Sequence, residues 1–236
     1  MALNKLIRKV FSRSNSSSAP PKGQINLGDL NRTTPFSIQF GYDRGGPVDR
    51  YYVENFLEKN KLLIKGRALE IGDNEYTLRF GGSRVLKSDI LHIDDKNEKA
   101  TFIGDLSDAP HVPDNTFDCI VLTQTLHLIY NYADAIKTCY RILKPGGVLL
   151  LTVPGISHIA QDKWGEYWMW SFTDASMKRI LSEVFPKDKI NVETFGNVLV
   201  ATAFLYGMGL PEMNKKTMDE HDRHFQVIIT VLAEKP

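Results

Sequence analysis

Cysteine is scarce in this chain. Cys119 and Cys139 are the two among 236 residues, and their spacing fits neither a disulfide framework nor paired zinc ligands. A reducing, cytoplasmic setting is the expectation. No apolar run approaches the roughly 18 residues that a membrane-spanning helix needs. The N-terminus is basic, but Arg8, Lys9 and Arg13 interrupt its apolar positions, which makes it a poor signal peptide. An excess of one charge is missing too: 29 Lys and Arg stand against 28 Asp and Glu, a net charge of +1, so nothing argues for a large electrostatic footprint on DNA or RNA. No carboxylate cluster has the spacing of a divalent-metal site, which disfavours metal-assisted chemistry. With 42% hydrophobic and 24% charged residues, the chain is long enough for one α/β domain with a real core, or for two small ones.

Residues 3–11 place Leu3, Ile7 and Phe11 four apart, with Lys5, Arg8 and Lys9 between them. They read either as a basic amphipathic turn or two touching a membrane surface or a protein, or as a solvated tail leading into the Ser- and Pro-rich stretch 12–21. Gly45-Gly46-Pro47 then precedes Val48, Tyr52 and Phe56, one face of a helix. From residue 67 strands and helices alternate. Strands are expected at 67–71, 84–88, 100–103, 117–123, 148–153, 190–194 and 225–233, and helices at 132–143, 174–185 and 197–207. A polar loop is expected at 210–223. The pattern argues for a doubly wound, Rossmann-like sheet of seven mostly parallel strands, the last antiparallel, with helices on both faces. The division expected is a flexible basic tail, 1–22, and a single domain, 23–236. Within that domain come a cap segment at 36–64, a half at 65–155 and a second half at 156–236.

The centre of this pattern is Glu70-Ile71-Gly72, an acidic residue at the end of a buried strand running into a tight turn of the kind that faces a bound nucleotide. Two further glycines are missing from that turn: Asn74 and Tyr76 stand where they are expected. Asparagine tolerates a left-handed backbone. Tyrosine has no such excuse, and its ring must point out of the turn. Asp89 and Asp105 follow, each at or just after another expected strand end.

Then come Asp105-Leu106, 112–121 (VPDNTFDCIV), Leu126-His127-Leu128-Ile129 and 141–147 (RILKPGG). In that order and spacing the chain resembles the class I S-adenosylmethionine-dependent methyltransferases of the small-molecule, type 11-like kind. The stretch 43–52 (DRGGPVDRYY) also resembles a bacterial subgroup found among glycan-assembly enzymes. The resemblance implies S-adenosylmethionine as cofactor. Glu70, Gly72 and Asn74 would shape its turn, and Asp89 would accept from both ribose hydroxyls. Asp105 would accept from the adenine amino group, with Leu106 against the ring, and Gln124 would face the methionine part. The expected reaction is methyl transfer to a small-molecule or glycan acceptor, at a hydroxyl or an amine. A nucleic-acid methyltransferase is disfavoured by the neutral charge and the absence of an Asn/Asp-Pro-Pro-Tyr/Phe motif. A non-catalytic scaffold docking to a glycan-assembly partner is the alternative from another class.

The hard chemistry belongs to the cofactor, so the chain must supply positioning, dryness and, for a hydroxyl, a base. His127 and His158 are the candidate bases; a packed helix-start histidine and a solvent-facing loop histidine are the plain readings beside them. His221 and His224 are further candidates. Trp164, Tyr167 and Trp168 crowd the segment after strand 5, where aromatic faces suit a sugar ring or another partly apolar acceptor, or else a packed lid.

Overall fold

The computed structural model describes residues 19–236. The expectation for residues 3–11 lies outside them. The chain divides after Thr33, and the described residues of the first unit hold one 3-10 turn, Gly28–Leu30.

Residues 34–236 are built on seven strands: β1 (Gly66–Ile71), β2 (Val85–His92), β3 (Phe102–Ile103), β4 (Phe117–Thr123), β5 (Leu143–Pro154), β6 (Ile190–Phe195) and β7 (Ile228–Glu234). Their order across the sheet is β3-β2-β1-β4-β5-β7-β6. β7 runs antiparallel to both of its neighbours, while β1 to β5 are parallel. The order reverses between β1 and β4, and in open α/β sheets ligands bind beyond the strand ends at such a switch.

Alternation along the central strands feeds two cores. Leu69, Ile120, Leu149 and Leu151 face helices α2 (Tyr132–Ile142) and α3 (Asp174–Ser182). Ala68, Cys119, Val121 and Leu150 face helix α1 (Val48–Lys59) and the turn Thr77–Gly81. A third cluster joins α1 to helix α4 (Val198–Leu205) through Tyr52, Val200 and Phe204, with Met218 from the short helix α5 (Lys215–Asp219). Between β1 and β2 the chain makes the π-helical turn Thr77–Gly81 and a 3-10 turn, Gly82–Arg84, and Leu86 on β2 is 87% exposed where the β1–β2 register slips.

Several boundaries move. α5 forms inside the stretch expected as a polar loop, and β7 starts three residues later than its apolar run suggests. β5 starts at Leu143 because Leu143 pairs with Phe117 before a register shift lets Gly146 and Gly147 through. The largest change is β2, which continues to His92 and carries Asp89 in mid-strand opposite Leu69. No helix among the described residues is long and apolar enough to cross a membrane.

Candidate functional site

The site is assembled at the carboxyl ends of β1, β2 and β4. Gly72 leaves β1 with φ +93°, which a Cβ would strain, and the space beside it is open. Its N–H donates to the Leu91 carbonyl at 3.0 Å, and the Asn97 side chain donates to its carbonyl at 2.8 Å. Glu70, buried below the turn, accepts the backbone N–H of Thr77 at 2.7 Å and of Tyr76 at 3.3 Å. Burial pushes its carboxyl up to about 8, against the pull of those N–H groups. Asn74 donates to Ser88 Oγ at 3.1 Å, which ties the turn to β2.

Tyr76 turns its ring into the core, 5.8 Å from Phe80, with only 8% of the residue exposed. Its hydroxyl accepts from Arg50 Nη1, and Arg50 Nη2 donates to Tyr42 at 2.6 Å. The turn is therefore not narrowed by the ring; it is backed by a guanidinium on α1.

Asp89 is a correction. The expected ribose carboxylate is fully buried in mid-strand, where Arg67 Nε on β1 donates to it at 2.6 Å. The strand actually ends at His92, and the carboxylate beyond it is Asp94. The Lys96 backbone N–H chiefly holds the Asp94 carboxyl below the usual range, with the Lys96 and His92 charges adding to it. A cavity of about 440 Å³ opens there, lined by His92, Asp94, Asn97 and Trp164 among others. Asp105, exposed after β3, accepts from the Ser107 N–H and hydroxyl, both at 2.8 Å. Leu106 is drawn into the core beneath, 3% exposed, so its side chain is a floor and not a free face.

At the end of β4, Gln124 adopts φ +47° and its side chain donates to Thr152 Oγ1 at 3.1 Å. His127 follows on a 3-10 turn, 3% exposed, and its Nδ1 is buried without a partner. Burial lowers its pKa to about 4, so the imidazole is neutral at physiological pH. The segment after β5 folds across it: Met169 and Trp170 donate backbone N–H to the His127 carbonyl, and the Trp168 ring lies 4.3 Å away.

Sequence reasoning missed Phe40. Its ring stacks on His158 at 3.9 Å and lies 6.0 Å from both Trp168 and Phe204. Phe40 has φ +57°, unusual for a bulky residue, and the strap around it is held at both ends. Phe36 N–H donates to the Tyr206 carbonyl, Leu210 N–H to the Gly46 carbonyl, and Arg44 pairs with Glu212. Glycines permit that contact: a Cβ at Gly207 would stand 2.2 Å from Ser37 O, and one at Gly209 would stand 1.8 Å from Arg44 O. His158 Nε2, like His127 Nδ1, is buried and unpartnered. The two candidate bases and Trp168 thus belong to one aromatic cluster closed by Phe40. Trp164 and Tyr167 are more open, 38% and 54% exposed. His221 and His224 are engaged elsewhere, with Thr194 and Asp222. Among the described residues no group of three or more His, Cys, Asp or Glu stands ready for a metal.

The edge fits an adenosyl cofactor. It offers open space beside a left-handed glycine, an ionised acceptor beyond β2 and a cavity between that acceptor and Trp164. Fold and site together define a class I S-adenosylmethionine-dependent methyltransferase. The comparison with known families agrees: the profile described as "Methyltransferase domain" matches residues 54–192, and the chain belongs to that family. A ubiquinone/menaquinone biosynthesis C-methyltransferase of Haemophilus ducreyi is 40% identical over 63 residues, 24% of this chain and 24% of that protein. A probable polyketide synthase of Dictyostelium discoideum is 35% identical over 65 residues, 27% of this chain and 3% of that one. The chain thus spans a quarter or less of those two relatives. Among solved structures, a SAM-dependent methyltransferase from Archaeoglobus fulgidus superposes with a TM-score of 0.53 at 14% identity, covering 79% of this chain and 94% of that one. A possible histamine N-methyltransferase from Thermotoga maritima gives 0.53 at 16% identity, covering 83% and 95%. At such identities the likeness is one of fold.

Proposed function

We propose that the chain transfers a methyl group from S-adenosylmethionine to a hydroxyl of a small-molecule or glycan acceptor, with His127 as the proton acceptor. The observation that carries this reading is the buried, unpartnered Nδ1 of a neutral imidazole beside the cofactor edge. When bound, the cofactor supplies a methyl group already activated on sulfur. The chain's own work is to orient the acceptor oxygen, keep water out and take the proton. As the new C–O bond forms and the C–S bond breaks, the oxygen becomes strongly acidic, so even a base weakened by burial can take its proton. Trp168 packed on His127 dries that nitrogen, and the more exposed Trp164 and Tyr167 offer ring faces of the kind that receive sugars. His158 would serve as the second polar contact across the cluster, and the glycan reading is supported by the resemblance of residues 43–52.

The test is methyl transfer from radiolabelled S-adenosylmethionine to a panel of hydroxyl-bearing sugars and phenols, with amines as controls. Replacing His127 with Ala should cut turnover on a hydroxyl acceptor by about two to four orders of magnitude. Unchanged turnover would clear His127 of the role, and transfer to amines alone would overturn the hydroxyl assignment.

A further inference from the structure

Arg50 is a half-buried cation whose side-chain hydrogen bonds go to neutral groups. Its Nη1 donates to the Tyr76 hydroxyl and its Nη2 to the Tyr42 hydroxyl, and its guanidinium lies 5.3 Å and 5.6 Å from the centres of those two rings. Among the described residues Arg50 is in no ion pair. A guanidinium partly withdrawn from water gains most from a carboxylate, which it can grip with two parallel N–H donors. Its neighbour Asp49 does not supply that grip. Asp49 Oδ1 is buried without a hydrogen-bond partner, and burial raises its carboxyl to about 6 even as the Arg50 charge pulls it down. Glu54, one turn along α1, is taken by Arg79 at 2.7 Å. The two phenols fix the direction of the guanidinium, and among the described residues no carboxylate hydrogen-bonds it.

The position of this cation matters. Tyr76 belongs to the turn after Gly72, and it occupies one of the two places where further glycines were expected. Glycine there would let backbone amides approach the cofactor closely; a tyrosine removes that approach and brings Arg50 instead. If its adenosine lies against the cavity beyond β2, S-adenosylmethionine would turn its amino-acid end toward β1 and β4, and that end carries its one carboxylate.

We propose that Arg50, aimed by Tyr42 and Tyr76, binds the α-carboxylate of the cofactor's methionine part and stands in for the amide contacts that the missing glycines would have made. The assignment rests on the cofactor reading above. It explains why Tyr76 is compatible with binding: the residue that breaks the glycine pattern is one of the two that hold the replacement.

The experiment is calorimetric titration of the full chain with two ligands, S-adenosylhomocysteine and 5′-methylthioadenosine, which shares the adenosine and lacks the carboxylate. Arg50→Met should weaken S-adenosylhomocysteine on the order of tenfold or more and leave 5′-methylthioadenosine within about twofold of wild type. Tyr42→Phe keeps the charge but loses one tether, and should weaken S-adenosylhomocysteine alone by a smaller factor. If Arg50→Met does not fold, as judged by far-ultraviolet circular dichroism, the Tyr42→Phe comparison decides. Equal weakening of both ligands would make Arg50 merely structural, and unchanged affinity for S-adenosylhomocysteine would remove it from the site; either result overturns the proposal. A wild type that binds neither ligand would overturn the cofactor reading itself, and this assignment with it.

Discussion

Arg67 on β1 donates its Nε–H to the Asp89 carboxylate on β2 at 2.6 Å, and this pair ties two parallel strands beneath the site. Asp89 is fully buried, while the Arg67 side chain remains 31% exposed. A division of labour between two nearby aspartates is the expected consequence. Asp89→Asn should lower stability by about 1–3 kcal/mol, because it weakens a buried charge-assisted bond, and leave S-adenosylhomocysteine affinity of the folded protein unchanged. Asp94→Ala should do the reverse. Thermal unfolding and calorimetric titration of both variants check the pair. A weakened ligand in Asp89→Asn with Asp94→Ala indifferent would return the ribose role to mid-strand.

Glu70 makes folding pH-dependent. Its ordinary value is 4.5 and burial raises the folded value to about 8. Between those limits the unfolded chain has lost the proton and the folded chain keeps it, so folding takes up a proton. Stability should therefore fall as pH rises through that window and level off above it. Urea midpoints measured across the window should show the slope, and Glu70→Gln should flatten it while still accepting one of the two N–H bonds.

His127 acts in the opposite direction at lower pH. Its pKa falls from 6.5 to about 4, so the unfolded chain protonates first, and stability should drop as pH is lowered between those values. The acid limb of kcat/KM should likewise lie near 4 if this imidazole is the base. A limb near 6.5 that disappears in His127→Ala would mean that the ring is hydrated in the working enzyme.

The strap carrying Phe40 depends on glycine at its contact. Gly207→Ala places a Cβ 2.2 Å from Ser37 O at φ +67° and should cost about 1–3 kcal/mol. Limited proteolysis should then cut residues 36–47 faster than in wild type. By contrast Tyr76→Gly, which restores the expected glycine, should remove a core ring at about 3–5 kcal/mol and weaken S-adenosylhomocysteine.

The central sheet was legible because β4 and β5 are near-continuous apolar runs, and Lys144-Pro145-Gly146-Gly147 announces that α2 has ended, although the strand already takes in those four residues. The end of β2 was not. In sequence Lys87, Ser88 and Asp89 look like the polar close of a strand. They continue it because Arg67, on the neighbouring strand in a register that only the folded sheet defines, answers the buried charge. The same limit hid Phe40. Nothing periodic surrounds it, and its place is set by hydrogen bonds to residues more than 160 positions later. His127, His158 and Trp168 were visible as residue types in order along the chain, but their convergence depends on the fold of the segment after β5. Tyr76 was recognised as odd, while its answer lay on α1.

β7 lies between β5 and β6 and pairs with both along its length. During synthesis, β6 leaves the ribosome with no strand to join, since its only neighbour in the sheet has yet to be made. One side of the sheet, with α3 packed against β6, must wait for residues 228–234 before it can close. The half that carries the cofactor turn can assemble earlier. A nascent chain should therefore expose the unpaired edge of β5 and the apolar face of α3 to chaperones until that last strand slots in.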